Sequence, residues 1–344
     1  MPTQSTLPTV TNDASIPCVP RRSTPSIGVS RRCVRPASNA ERRRLERQVQ
    51  QGNYVVPARG MFAPSQEWEQ ATKADQVRCI IRTLADDHPS WVFCLFSAAL
   101  AYGLDAGCGD IVPVHVCVKR NGRSKGSTLV QRHTIQCASP TVVDGVMLTP
   151  AAQTVADCLC QLPFPQALAL ADSALRVLGL AREELYAQLG DAGDGLEGQI
   201  ARWAVVWADA RAANADESAA RAAMIEEGFM LPELRCFIDD PFMEEGGIWV
   251  TFAWRLADEV VMAAQLEEDD LDARAKAPNA GAAQEGQHVD PPHVERVTSR
   301  RLRLLRLTPQ DVADRSRFVQ MLQLLGVPRG ASRHPVRYPV CAMP

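Results

Sequence analysis

No apolar run in this chain reaches the ~18–20 residues that a membrane-spanning helix needs. The N-terminal residues carry no apolar core of the kind a secretory signal requires. Zinc-finger spacing is missing as well: there is no Cys-x-x-Cys pair, and the eleven cysteines are scattered and odd in number. Cys79, Cys94, Cys158 and Cys160 fall in apolar periodic segments, where a thiol behaves as a small hydrophobe. These absences exclude a membrane span and a Cys-based zinc module, and they lead us to expect a cytoplasmic protein in a reducing compartment without a cofactor. Acidic residues are scarce at one end. Residues 1–60 hold ten arginines against three acids (Asp13, Glu41, Glu46), a local +7 in a chain whose formal net charge is −3. A uniformly basic nucleic-acid binder is thereby excluded, whereas a basic N-terminal arm is not.

What is present fits a globular chain of two or three domains: 344 residues, 46% hydrophobic and 22% charged. Residues 1–37 are rich in Pro, Ser, Thr and Arg without a hydrophobic period, which predicts a disordered basic tail. Ser38 and Asn39 cap a short helix over 40–50 that carries Arg42, Arg43, Arg44 and Arg47 around a narrow apolar face of Leu45 and Val49. Tyr54–Val56 and Met61–Ala63 read as a hairpin about Pro57-Ala58-Arg59-Gly60. Helices are predicted over 74–85 and 91–102, and strands over 111–119 and 128–137 around a basic turn at 121–126. That turn lacks the Gly-Lys-[Ser/Thr] order of a phosphate loop. A short strand pair around Asp144-Gly145 precedes a helix pair, in which Thr149 is the expected N-cap and Pro163 and Pro165 separate the two helices. A Gly/Asp-rich break at 191–198 marks the expected domain boundary. Beyond it the pattern reads as two helices, three strands, an exposed insertion over 267–297, a strand at 301–307, a helix from Thr308 to Leu325, and a disordered tail over 328–344.

Three separated segments together resemble one family. Gly52-Asn-Tyr-Val-Val-Pro-Ala-Arg-Gly-Met-Phe-Ala-Pro resembles the wing hairpin of winged-helix antitoxins of the AbiEi type. Phe96-Ser-Ala-Ala-Leu-Ala-Tyr-Gly-Leu, Val114-His-Val-Cys-Val and the run from Val143 to Asp157 are similar to the middle-domain segments of those proteins. Asp216-Glu-Ser to Gly228, Val250-Thr-Phe-Ala-Trp and Leu304-Leu-Arg-Leu-Thr-Pro-Gln-Asp-Val resemble the very-short-patch-repair endonuclease-like domain appended to many actinobacterial members. The resemblance covers about residues 38–327. It implies an α+β protein with a truncated winged-helix element (38–70), an AbiEi-like middle domain (71–190) and a degenerate restriction-endonuclease-like domain (199–327). The implied function is that of an antitoxin and transcriptional regulator, binding promoter DNA and a toxin protein.

DNA contacts are then expected from Arg42, Arg43, Arg44, Arg47 and Arg59, since guanidinium groups bind phosphates bidentately. A nuclease of the appended fold needs two or three carboxylates converging on a divalent metal. The family positions for them are here Glu217, Thr251, Met262 and Ala264, so one carboxylate survives and an inactive domain is expected. Asp258 and Glu259 are the nearest replacements, but they fall at the inter-strand turn and are not counted. The alternatives are a metal-dependent DNA endonuclease using Glu217 with other acids, and a protein-interaction remnant without DNA binding. His115 reads as a half-buried, hydrogen-bonded residue; His133 falls on the partner strand near it, and two histidines without a third ligand do not argue for a metal; His288 and His293 read as exposed, and Trp203 and Trp207 as core or interface.

Overall fold

The computed structural model describes residues 32–105, 113–118, 128–137, 139–190, 195–239, 246–255, 261–266, 294–297 and 302–329. Most of the two expected tails, the basic turn at 121–126, Asp258, Glu259, His288 and His293 lie outside the described residues. The architecture is mixed α+β. Among the described residues no helix is long and apolar enough to cross a membrane.

Helix α1 (Asn39–Gln50) starts where its cap predicts: Ser38 Oγ accepts the Glu41 N–H, and the Glu41 carboxylate accepts the Ala37 N–H. Strands β1 (Tyr54–Ala58) and β2 (Met61–Pro64) form the expected hairpin, and its register slips between Val55 and Ala58, where Pro57 has no N–H to give to the ladder. Val34 bridges to the outer side of β2 at Phe62. Then come α2 (Ser65–Gln70) and α3 (Lys73–Asp87), the latter capped by Thr72 and buried along Val77, Ile80, Ile81 and Leu84.

The run from Trp91 to Tyr102 is not one helix. Only Leu95–Ala101 (α4) is helical, and Phe93 is a strand-like residue bridging Val116 and Leu148. A short apolar run serves either structure, and here the unpaired edges of two neighbouring strands claim its first residues. Strands β3 (Val114–Cys117) and β4 (Val130–His133) pair in parallel, Val114 beside Val130, where the sequence suggested partners joined by a turn. β5 (Thr141–Val143) and β6 (Val146–Leu148) form a hairpin through Asp144 and Gly145, both with positive φ (50° and 80°), as a two-residue turn of this kind demands.

Helices α5 (Ala151–Leu159) and α6 (Phe164–Ser173) are the expected pair, with α6 continuing through a π-helical turn, Ala174–Leu178, to Gly179. Thr149 is not the cap of α5. It is fully buried, its N–H is spent on Phe93 O and its carbonyl on the Tyr102 hydroxyl, and its own hydroxyl meets that of Thr154 at 2.6 Å. Helices α7 (Arg182–Leu189) and α8 (Leu196–Trp207) complete the layer. The apolar cluster of this region runs from Cys33 to Ile225 and takes in Ile200, Ala201, Ala204 and Val205 of α8, so it continues across the Gly/Asp-rich break.

Helix α9 (Ala215–Glu226) belongs to two cores. Ala222 and Ile225 join the first, whereas Ala220, Ala223 and Met224 join a second that covers one face of a five-stranded sheet. The sheet comprises β7 (Glu233–Asp239), β8 (Gly247–Arg255), β9 (Val261–Leu266), β10 (Val294–Val297) and β11 (Leu302–Leu307), ordered β10-β11-β9-β8-β7. β7, β8 and β9 pair antiparallel, β9 and β11 parallel, and β10 lies antiparallel to β11. A strand therefore closes the stretch read as an insertion. The expected final helix is two, α10 (Pro309–Ala313) and α11 (Arg315–Leu325): Asp314 leaves helical geometry (φ −80°, ψ 92°) and its carboxylate caps the second through the Arg317 N–H. Phe318, Met321, Leu322 and Leu325 of α11 fill the second core.

Candidate nucleic-acid interface

Arg42, Arg43, Arg44 and Arg47 are exposed on α1, while Leu45 on the opposite side is its buried residue. Arg59 is exposed at the tip of the β1–β2 hairpin. The ion pairs of this region belong to other arginines, Arg32 with Asp86 and Arg35 with Asp87, which leaves those five without a carboxylate partner among the described residues. Arg47 donates from Nε to Arg43 O at 3.3 Å, a bond that leaves its charge unopposed. Arg35 is a residue that sequence reading did not single out. Its Nη1 donates to the carbonyls of both Arg59 and Gly60 (3.2 and 3.3 Å), while Nη2 pairs with Asp87 at the end of α3. Arg35 thus ties the hairpin tip to α3 by its backbone and leaves the Arg59 guanidinium facing solvent.

The four positions at which the resemblance would place nuclease carboxylates have other roles here. Glu217 Oε2 accepts the Ala213 N–H at 2.7 Å, and its own N–H donates to Asn214 Oδ1 at 2.8 Å, so this carboxylate takes part in capping α9. Thr251 Oγ1 accepts the Leu266 N–H at 3.1 Å. Met262 and Ala264 are buried in the second core with Phe252 and Trp254. A carboxylate at either would be desolvated among hydrocarbon. Among the described residues no three His, Cys, Asp or Glu side chains are placed to share a metal ion.

His115 and His133 do meet. The parallel register of β3 and β4 brings Nδ1 of the first within 2.8 Å of Nε2 of the second, with Phe96 edge-on to His115. Burial, and then the neighbouring His133, push His115 down to about 4; burial also lowers His133. Both rings are neutral near pH 7, sharing one N–H···N bond. Trp203 and Trp207 are half-buried against the first core, a packing role. Cys33 and Cys79 bring their sulfurs to 3.6 Å, and that contact together with burial raises the Cys33 thiol.

A buried charged centre also escaped the sequence. Asp172 of α6 is wholly inaccessible and accepts from Arg221 Nη1 (2.7 Å), Ser218 Oγ (2.7 Å) and the Asp209 N–H (2.6 Å), while Arg221 Nη2 donates to Trp207 O. Burial raises Asp172 above its ordinary value, and Arg221, the Asp209 N–H and Ser218 draw it part of the way back. The available signal was an aspartate on an otherwise Ala/Leu helix, with Ser218 and Arg221 three apart on another.

Two proteins of Mycobacterium tuberculosis are similar to part of this chain. The uncharacterized protein Rv2248 of Mycobacterium tuberculosis strain H37Rv, and the uncharacterized protein MT2308 of strain CDC 1551, are each 36% identical to this chain over 166 residues. The match takes in 47% of this chain and 58% of each relative, so the chain spans a little over half the length of the curated relatives it matches. No family model matches the sequence, and no solved structure matches it.

Proposed function

We propose that this chain is a cytoplasmic, antitoxin-like transcriptional regulator of the AbiEi type, which binds promoter DNA through α1 and the β1–β2 hairpin. The observation that carries this reading is the set of five exposed arginines, without carboxylate partners among the described residues, on two consecutive elements. Arg35 supports them by holding the hairpin tip. Arg42, Arg43, Arg44, Arg47 and Arg59 contact phosphates, so they supply affinity rather than sequence choice. The middle helices offer a surface to a toxin protein. The sheet domain acts as a scaffold without nuclease activity, because its family metal positions are spent on a cap, a ladder bond and core packing.

The test is binding of the full chain to a fragment spanning its own promoter, against a scrambled fragment, at 50 and 200 mM salt. With five phosphate contacts the slope of log K against log salt is about −4.5, which amounts to about a 500-fold loss across that range. Specific, salt-sensitive binding supports the regulator. Equal salt-sensitive binding to both fragments reduces the arginines to a nonspecific arm. Promoter binding unchanged after charge reversal of all five arginines refutes the assignment, and the absence of binding favours a protein-interaction remnant.

A further inference from the structure

A cavity of about 370 Å³ lies between the end of the hairpin, α2, α3, the end of α4 and the β5–β6 turn. Its size is within the range of small-molecule pockets, ~300–1,000 Å³. Arg82 of α3 lines it. That residue is only 7% exposed, and its one bond to the described residues runs from Nη2 to Asp144 Oδ2 at 3.2 Å. Its other N–H groups have no partner among the described residues. Its unspent donors keep access to the cavity it borders, and an acceptor seated there would meet them.

The remaining lining limits what that acceptor is. Arg78 is committed to Asp75 and to Leu100 O, and Arg32 to Asp86. Glu67, Asp75 and Asp144 line the same space, so three arginines face three carboxylates and the cavity carries no net field for a polyanion. One carboxylate, taken bidentately by Arg82, suits it. The other walls are apolar and aromatic. Trp68 stands on one element and Tyr102 on another, and the Tyr102 hydroxyl is already spent on Thr149 O at 2.8 Å, so that side chain offers its ring.

We propose that this cavity binds a small aromatic carboxylate, with the carboxylate on Arg82 and the ring between Trp68 and Tyr102, and that its occupancy alters DNA binding. The second half rests on the regulator reading. It follows from the wall itself, since Ala63 and Pro64 are the last residues of hairpin strand β2. A ligand seated there touches the strand whose other end leads to Arg59.

Isothermal titration of the full chain with benzoate and indole-3-carboxylate tests the site, with benzamide as the neutral analogue and ATP as the polyanion. Saturable binding of at least one carboxylate is expected, about tenfold or more tighter than benzamide or ATP. Arg82→Gln is expected to weaken it about tenfold or more. Because that change also strips Asp144 of its partner, Ala71→Phe fills the cavity without altering charge and should abolish binding in a chain whose melting and circular dichroism are unchanged. No saturable heat at millimolar carboxylate overturns the proposal, as does equal affinity for benzamide or wild-type affinity in both variants. The carboxylate that binds is then added to the promoter titration. A change in promoter affinity of about threefold or more, lost in Ala71→Phe, is expected. Unchanged promoter affinity refutes the regulatory half alone. A chain that binds carboxylate but no DNA refutes the regulator reading and leaves the ligand site standing.

Discussion

Arg221→Met would test whether α6 and α9 are joined by a truly buried charge pair. Asp172 is 0% and Arg221 5% exposed, and the carboxylate has three donors, of which Arg221 alone carries charge. The substitution keeps much of the side-chain volume and leaves Ser218 and the Asp209 N–H in place, so it removes the counter-charge with little cavity. Breaking a pair of this kind by removing one partner costs about 3–5 kcal/mol. For a cooperative unit of 150–250 residues that corresponds to a fall of about 6–20 °C in the melting midpoint. The loss depends on pH, with a definite sign. Burial holds Asp172 above its ordinary value of 3.8 in the folded protein. Its contribution is therefore fully present below 3.8 and is lost as pH rises through the folded value. Arg221 opposes that shift, so the variant should lose more stability than the wild type between pH 4 and pH 7. Adding Asp172→Asn removes the stranded charge and should recover most of the deficit. Calorimetric melts of the wild type, Arg221→Met, Asp172→Asn and the double variant at both pH values decide the matter. A drop under about 2 °C, or a deficit that neither pH nor Asp172→Asn changes, would show that the pair is solvated and that the helices are not joined as described.

Other perturbations separate the remaining readings. His115 titrates at about 4, below its ordinary 6.5, so its contribution is present above pH 6.5 and disappears as pH falls through 4. Allowing for its partial exposure, an acid titration should show a loss of about 1–2 kcal/mol over that window, and His115→Leu should flatten it; an unchanged curve refutes the neutral pair. Glu217→Ala should cost about 1 kcal/mol in stability and Glu217→Gln clearly less, since glutamine keeps an acceptor for the Ala213 N–H. Neither variant should change magnesium-dependent cleavage of plasmid DNA, because the wild-type chain is expected to show none; cleavage lost in Glu217→Gln would instead establish an endonuclease. Arg59→Ala should lower the salt slope of DNA binding by about 1 without changing the melt, and an unaltered slope would remove the hairpin tip from the interface.

Helix α1, its hairpin, α3 and four of the five strands of the large sheet were legible in local pattern: Ser38 opens α1, and the apolar period fills the interiors. What local pattern cannot settle is partnership. Phe93 is apolar in either a helix or a bridge, and its neighbours decide. The parallel pairing of β3 with β4 and the strand at 294–297 follow from non-local ladders. The same division holds for the site. Arginines can be counted in a sequence, but their partners cannot: Arg35 acts on carbonyls 24 and 25 positions away, Arg82 meets an acid 62 positions away, and Asp172 meets an arginine 49 positions away. Glu217 was half legible: an acid three residues after Asn214 is a cap pattern as well as a family position.

Helix α9 carries a consequence for how the gene is free to vary. Its residues from Glu217 to Ile225 are nearly all buried, with one side claimed by each core. Inserting or deleting one residue in a helix turns everything after it by about 100° and shifts it by about 1.5 Å. In a helix with a solvent side, such a change is absorbed by bringing a neighbouring stripe to the core. In α9 it would expose Met224 or Ile225 and drive Arg221 into hydrocarbon at the same stroke. Length differences among relatives should therefore collect in the connecting stretches and stop short of residues 215–226, and a relative that breaks this rule should have re-formed both cores together.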